Sequence, residues 1–278
     1  MPRFKQVDVF TSVPYLGNPV AVVLDAAGID DATMQRFTDW TNLSEATFLL
    51  PPTHAEADYR LRIFCPGREL PFAGHPTIGS CHAWLESGGH PQRGDVIVQE
   101  CGAGLVHIRR DGERLAFQAP PRLRSGPLAE AELDRVVQGL GLRGVDVVAH
   151  AWCDNGPPWQ AVLLRSAAQV LSLQPDRTAL HGSFVGVVAP QVAGGDCDFE
   201  VRAFFPGQTG LIEDPVTGSL NAALGQWLID AGLAPSRYVA AQGTALGRAG
   251  RVHVARNTAG GTWVGGASTT CVDGRVAL

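Results

Sequence analysis

The chain has 278 residues, 45% of them hydrophobic, and a net charge of -5, enough apolar material for one large core or two ordinary ones. No basic cluster marks a nucleic-acid surface, no apolar run reaches the ~20 residues of a membrane helix, and the N-terminus MPRFKQVDVF enters strand-like alternation without a signal-peptide core. These features predict a cytoplasmic protein with neither nucleic acid nor membrane as partner. Six cysteines scattered without a CxxC pair argue against a zinc ribbon or a disulfide scaffold.

In chain order, Phe4, Val7 and Phe10 alternate with polar neighbours, the chain turns between Tyr15 and Pro19, and Val20 to Leu24 reads as a central strand. Asp30 or Asp31 can cap a helix to about Thr41, with Met34, Phe37 and Trp40 on one face. Thr47 to Leu50 and Asp58 to Phe64 read as strands, and Ile78 to Leu85 as an apolar helix closed by Gly88-Gly89. Short strands follow at Val96 to Gln99, Gly104 to Ile108 and Leu115 to Gln118. The proline-rich stretch 120–127 is the expected linker between a first lobe, 1–119, and a second, 128–278, with terminal segments free to cross between them. In the second lobe a helix from Glu130 to Leu140 is the nearest counterpart of the one near Met34. Strand signals recur at Val145 to Ala149, Ala161 to Leu164, Phe184 to Ala189 and Phe199 to Phe205, before an apolar helix from Leu220 to Asp230. Many short strands with one apolar helix per lobe predict an α+β fold in which a curved sheet wraps a central helix.

The two lobes read as copies. Arg62, Phe64, Pro66 and Gly67 reappear as Arg202, Phe204, Pro206 and Gly207 at an offset of 140, and Ala73-Gly74-His75 is mirrored by Thr217-Gly218-Ser219 at 144. Two copies of one module predict two similar lobes with a cleft between them. Gly74 and Gly218 open the paired helices, where backbone amides can hold an anion such as a carboxylate, although each glycine could equally serve a tight turn.

The candidate chemistry lies near those turns. His75 suits proton transfer near neutrality or is a satisfied structural histidine; Asp214 is either a catalytic acid or a turn residue. Glu45, in Asn42-Leu43-Ser44-Glu45-Ala46, sits at an element boundary with apolar flanks, where burial would suit it to acid/base work; the alternative is a surface glutamate at a helix exit. Dinucleotide, Walker, HExxH and GxSxG signatures are missing, and His75 and His82 are too far apart to serve together as metal ligands, so neither metal nor cofactor is expected. The only lysine, Lys5, lies in the first strand, which disfavours Schiff-base chemistry. Ala73 and Thr217 occupy the matched turn positions, so a pair of facing cysteines is not available there.

Four runs together resemble the phenazine-biosynthesis isomerase family, usually called PhzF-like: Gly17-Asn18-Pro19-Val20-Ala21-Val22-Val23, Asn42-Leu43-Ser44-Glu45, Glu69-Leu70-Pro71-Phe72-Ala73-Gly74-His75-Pro76-Thr77, and Glu213-Asp214-Pro215-Val216-Thr217-Gly218-Ser219. Gln242-Gly243 and Gly247-Arg248-Ala249-Gly250 extend the likeness toward the C-terminus. The resemblance implies a diaminopimelate epimerase-like fold, two pseudo-symmetric lobes each with a barrel-like sheet around a central helix. It also implies an isomerase acting without metal or cofactor on a small carboxylate such as trans-2,3-dihydro-3-hydroxyanthranilate, commonly as a homodimer. By the same resemblance Glu45 is the proton shuttle, with His75 and Asp214 as further catalytic groups, and Asn18, Ser44, Gly74, Gly218 and Ser219 bind substrate. Ala46 stands where threonine is common in that family. The alternatives are an amino- or hydroxy-acid epimerase, or a small-acid binding protein that does no chemistry.

Overall fold

Largely buried apolar runs form the first strands, where β1 (Arg3–Val9) pairs antiparallel with β2 (Asn18–Val23) and places Val7 opposite Val20. The computed structural model describes residues 1–207 and 210–278. Helix α1 (Asp31–Thr41) is capped by Asp30, whose carboxylate accepts from Thr33 N, and ends at Asn42 in the left-handed region with φ 57°. Its crossover makes β3 (Ala46–Leu50) parallel to β2; β4 (Tyr59–Cys65) then pairs antiparallel with β3, and β5 (Arg68–Leu70) folds back on β4. After α2 (Gly74–Glu86), β6 (Val96–Cys101) lies parallel to β4, and β7 (Gly104–Asp111) and β8 (Arg114–Gln118) continue as a meander.

The second half opens with α3 (Glu130–Gly139) and then repeats the element order of the first. Strand β9 (Val147–Asp154) pairs antiparallel with β10 (Pro158–Leu164), and α4 (Ala167–Ser172) leads to β11 (Phe184–Pro190), parallel to β10. Then β12 (Phe199–Gly207) and β13 (Gly210–Asp214) form a hairpin, α5 (Gly218–Asp230) follows, and β14 (Arg237–Gln242) lies parallel to β12. Strands β15 (Gly250–Arg256) and β16 (Thr262–Gly266) follow, and β17 (Ser268–Arg275) pairs along the whole of β1. The chain divides into two compact units, Met1–Gln118 with Gly265–Leu278, and Ala119–Val264. The last strand thus belongs with the first unit rather than with the lobe that precedes it in sequence.

Within each unit one helix is enclosed by sheet. Nine of the thirteen residues of α2, and nine of the thirteen of α5, are buried, which leaves neither helix a polar face. Close approach explains two internal glycines: a Cβ at Gly79 would lie 2.5 Å from Val20 Cγ1, and one at Gly225 would lie 2.6 Å from Val254 Cγ1. In the first unit a ladder of edge-to-face rings, Phe4, Phe37, Phe48 and Phe64, packs α1 onto the sheet with centroids 6.1, 6.0 and 5.6 Å apart. In the second, Val136 of α3, Leu140 at its C-cap and Val170 of α4 share a core with Val162, Val185 and Val187.

Two details differ from the sequence reading. Trp40 is 77% exposed, because at 100° per residue it stands about 120° around the helix from Met34, and Thr38 takes the inward position. By element order the counterpart of α1 is the six-residue α4, not α3, which stands before the repeated module. A helix that short spans less than two turns and shows no period to read.

The repeated Arg and Phe positions carry the same contacts twice. Arg62 makes two parallel hydrogen bonds to Glu69, at 2.8 and 2.7 Å, and lies 5.0 Å from the Phe64 ring centroid. Arg202 does the same with Glu213, at 2.9 and 2.8 Å, and lies 4.9 Å from Phe204.

Candidate active site

Parallel pairing of β2 and β3, with Ala21 opposite Ala46, brings Asn18 and Glu45 to the same end of two neighbouring strands. Asp8 accepts from Gly17 N at 2.9 Å and so fixes the loop before Asn18. Helix α2 starts at that end, and Ser80 Oγ donates to Thr47 Oγ1 at 2.8 Å, locking the helix to β3. Three of the predicted residues therefore meet: Asn18 Nδ2 lies 3.3 Å from His75 Nδ1, and Glu45 Oε2 lies 3.2 Å from His75 Nε2. Asn18 and His75 are buried, and the Glu45 side chain is 16% exposed. Ser44, half-buried, precedes Glu45 in the turn, and Gly74 is the first residue of α2.

Burial pushes the His75 pKa down to about 3 and outweighs the opposing effect of a backbone hydrogen bond at Pro19, so the imidazole is neutral near pH 7. The Glu45 carboxylate therefore faces an uncharged ring 3.2 Å away, and a neutral neighbour leaves Glu45 easier to protonate than an imidazolium would. At the start of α2, Pro76 has no N–H and Thr77 N bonds Ala73 O, so the first-turn amides without an intrahelical acceptor are those of Gly74 and His75. Two such donors match the two oxygens of a carboxylate.

In the second unit Asp214 ends β13, and Gly218 and Ser219 begin α5. Thr217 Oγ1 donates to Asp214 Oδ2 at 2.6 Å. Ser219 is anchored twice, with Trp159 Nε1 donating to its hydroxyl at 3.1 Å and Asn155 Nδ2 to its carbonyl at 2.9 Å. Buried Gln242, Thr217 and Asn221 form the framework of this turn, and sequence reasoning picks out none of the three as a site residue. The repeat register could have found one of them, because Gln242 stands 143 residues after Gln99, also buried beneath a helix start.

Among the described residues no group of three or more His, Cys, Asp or Glu side chains is gathered to hold a metal, and no helix is long and apolar enough to cross a membrane. Burial pushes the Cys81 and Cys153 thiols up to about 12, leaving both protonated and poorly nucleophilic at pH 7.

The fold is diaminopimelate epimerase-like, an α+β architecture of curved sheets around central helices. The Bacillus anthracis phenazine biosynthesis protein of the PhzF family superposes with a TM-score of 0.83 at 21% identity, covering 100% of this chain and 99% of that one. The family model described as phenazine biosynthesis-like protein, PhzC-PhzF, matches residues 7–274, and the chain belongs to that family. It is 38% identical to the Schizosaccharomyces pombe protein called antisense-enhancing sequence 1, over 98% of this chain and 97% of that protein. It is 34% identical to trans-2,3-dihydro-3-hydroxyanthranilate isomerase of Pseudomonas aeruginosa, over 94% of this chain and 92% of that enzyme. The family is of isomerase type, and this chain is an isomerase.

Proposed function

We propose that the chain is a metal- and cofactor-independent isomerase that moves a proton between two carbons of a small carboxylate, with Glu45 as general acid/base and a substrate resembling trans-2,3-dihydro-3-hydroxyanthranilate. The observation that carries this reading is the Glu45 to His75 contact of 3.2 Å, with the imidazole held neutral by burial. The similarity to the Pseudomonas aeruginosa isomerase supports the choice of substrate class.

Glu45 takes the proton as one C–H bond breaks, the electron pair spreads into the conjugated system of the substrate, and protonated Glu45 delivers the proton to a second carbon. One C–H bond is lost and one gained, so no oxidant or reductant is needed. His75 accompanies Glu45 through both states, and Asp214 is the further catalytic acid of the assignment. Asn18, Ser44, Gly74, Gly218 and Ser219 bind the polar groups of the substrate.

The test is turnover of trans-2,3-dihydro-3-hydroxyanthranilate in deuterated water. Wild type should place at most one deuterium in the product, at the carbon that gains a hydrogen, with the remaining molecules carrying the transferred protium there, and Glu45→Gln should lower kcat by about 10²- to 10⁴-fold. Full activity in Glu45→Gln would sink the assignment. Deuterium at one carbon with inversion and no migration would instead make the enzyme an epimerase.

A further inference from the structure

Gln242, at the end of β14, is fully buried, and the direction of its side-chain amide is decided by the backbone of Thr217. A backbone N–H can only donate, so the atom 3.0 Å from Thr217 N is the oxygen, Oε1. That oxygen also accepts from Asn221 Nδ2 at 2.8 Å. Nε2 is then committed to donating, to Thr217 Oγ1 at 2.8 Å and to Asp214 O at 3.2 Å. With a lone pair of the Thr217 hydroxyl taken up by Nε2, its hydrogen is directed to Asp214 Oδ2 at 2.6 Å. All four hydrogen-bonding positions of the Gln242 amide are used, and the chain runs one way, from amide to hydroxyl to carboxylate.

We infer that Gln242 is a positioning residue for Asp214, acting through Thr217 to present the carboxylate in one orientation. This inference rests on the proposed role of Asp214 in the reaction. The first unit holds a counterpart buried amide without either the acid or the relaying hydroxyl, since Ala73 stands at the position of Thr217. Gln99 accepts from Tyr59 OH at 3.1 Å and donates to Thr77 Oγ1 at 3.1 Å, while Leu70 occupies the place that Asp214 has at the offset of 144. Gln99 therefore contributes the packing and bracing of a buried amide with no carboxylate to aim, and serves as an internal control for Gln242.

Gln242→Glu keeps the shape and replaces the two donor hydrogens by an acceptor, which reverses the hydroxyl of Thr217. Thr217→Val removes the hydroxyl, and Thr217→Ser restores it. With the full chain and trans-2,3-dihydro-3-hydroxyanthranilate, Gln242→Glu and Thr217→Val should lower kcat by about ten- to hundredfold, with KM changed less than about threefold. Thr217→Ser should recover most of the rate, and Gln99→Glu should stay within about twofold of wild-type kcat while lowering the melting temperature. Crystals of Gln242→Glu and Thr217→Val should show the Asp214 carboxylate turned from its wild-type position.

Unchanged kcat in both variants, an equal loss in Gln99→Glu, or an Asp214 carboxylate that stays in place overturns the inference. If Gln242→Glu does not fold, the Thr217 pair decides. If wild type does not turn the substrate over, the proposed function fails and the crystallographic arm still decides this point, a moved carboxylate supporting it and an unmoved one refuting it.

Discussion

His75 Nε2 stands 3.2 Å from Glu45 Oε2 in a site that keeps the imidazole uncharged. Charging this histidine would stabilise the Glu45 carboxylate as an ion pair and make it a weaker base toward a C–H bond. Burial of the ring is therefore as much a part of the site as the distance.

That burial sets a pH dependence of stability. In the unfolded chain His75 takes up a proton near pH 6.5, whereas in the fold it does so near pH 3, so between these limits the unfolded state binds more protons. Its contribution is present above about pH 6.5 and is lost on acidification, at on the order of 1.4 kcal/mol per pH unit in that window. Urea unfolding of His75→Gln should show a shallower fall in stability between pH 6.5 and 4 than wild type. Equal slopes would show that His75 is not held neutral.

The two arginine clasps should differ in worth. Arg202 is 7% exposed, with Glu213 at 13%, and also donates to Val170 O at 3.1 Å and Leu173 O at 2.9 Å. Arg62 is 17% exposed and Glu69 41%. Removing Arg202 leaves a largely buried carboxylate without its partner and takes one donor from each of Val170 O and Leu173 O, so Arg202→Met is expected to cost about 3–5 kcal/mol, against about 1 kcal/mol for Arg62→Met. Chemical denaturation of both variants checks the order, and a larger loss at Arg62 would contradict it.

Gly79→Ala and Gly225→Ala should each destabilise by about 1–3 kcal/mol, since the added carbon meets a strand side chain inside contact distance. At Gly144 an added methyl would find no atom within 4 Å, and φ is not positive, so Gly144→Ala should stay within about 0.5 kcal/mol of wild type. Melting temperatures of the three variants separate steric glycines from tolerant ones.

Lys5, the only lysine, is buried between Asp273 at 2.7 Å and Glu86 at 3.2 Å. Burial by itself would lower its pKa, but the hydrogen bonds to Asp273 and Glu86 outweigh that and raise it. The amine should thus resist acylation at pH 8 in the folded protein and react after denaturation. Intact mass before and after urea treatment reads this out, and rapid labelling of Lys5 in the native state would refute the buried cluster.

The family-level fold and most elements were legible in the chain because they rest on local periodicity and on a repeat whose register stays near 140–144 residues. Asp30 as a cap, the strand after Glu45 and the two apolar helices follow from neighbours within a few positions. The apolar character of Trp40 suggests a core place that helical rotation denies it, and α4 is too short to repeat a pattern in the sequence.

What the sequence by itself determined is the doubled module and the identity of the side chains at its turns, since composition and spacing are properties of the chain alone. Tertiary structure decided which of those side chains meet. Asn18 and His75 are 57 residues apart, and Gln242 and Thr217 are 25 apart, so strand register brings them into contact, not any local preference. Only burial, which the fold creates by closing each sheet around its helix, turns His75 into a neutral partner for Glu45 and makes the orientation of the Gln242 amide unique.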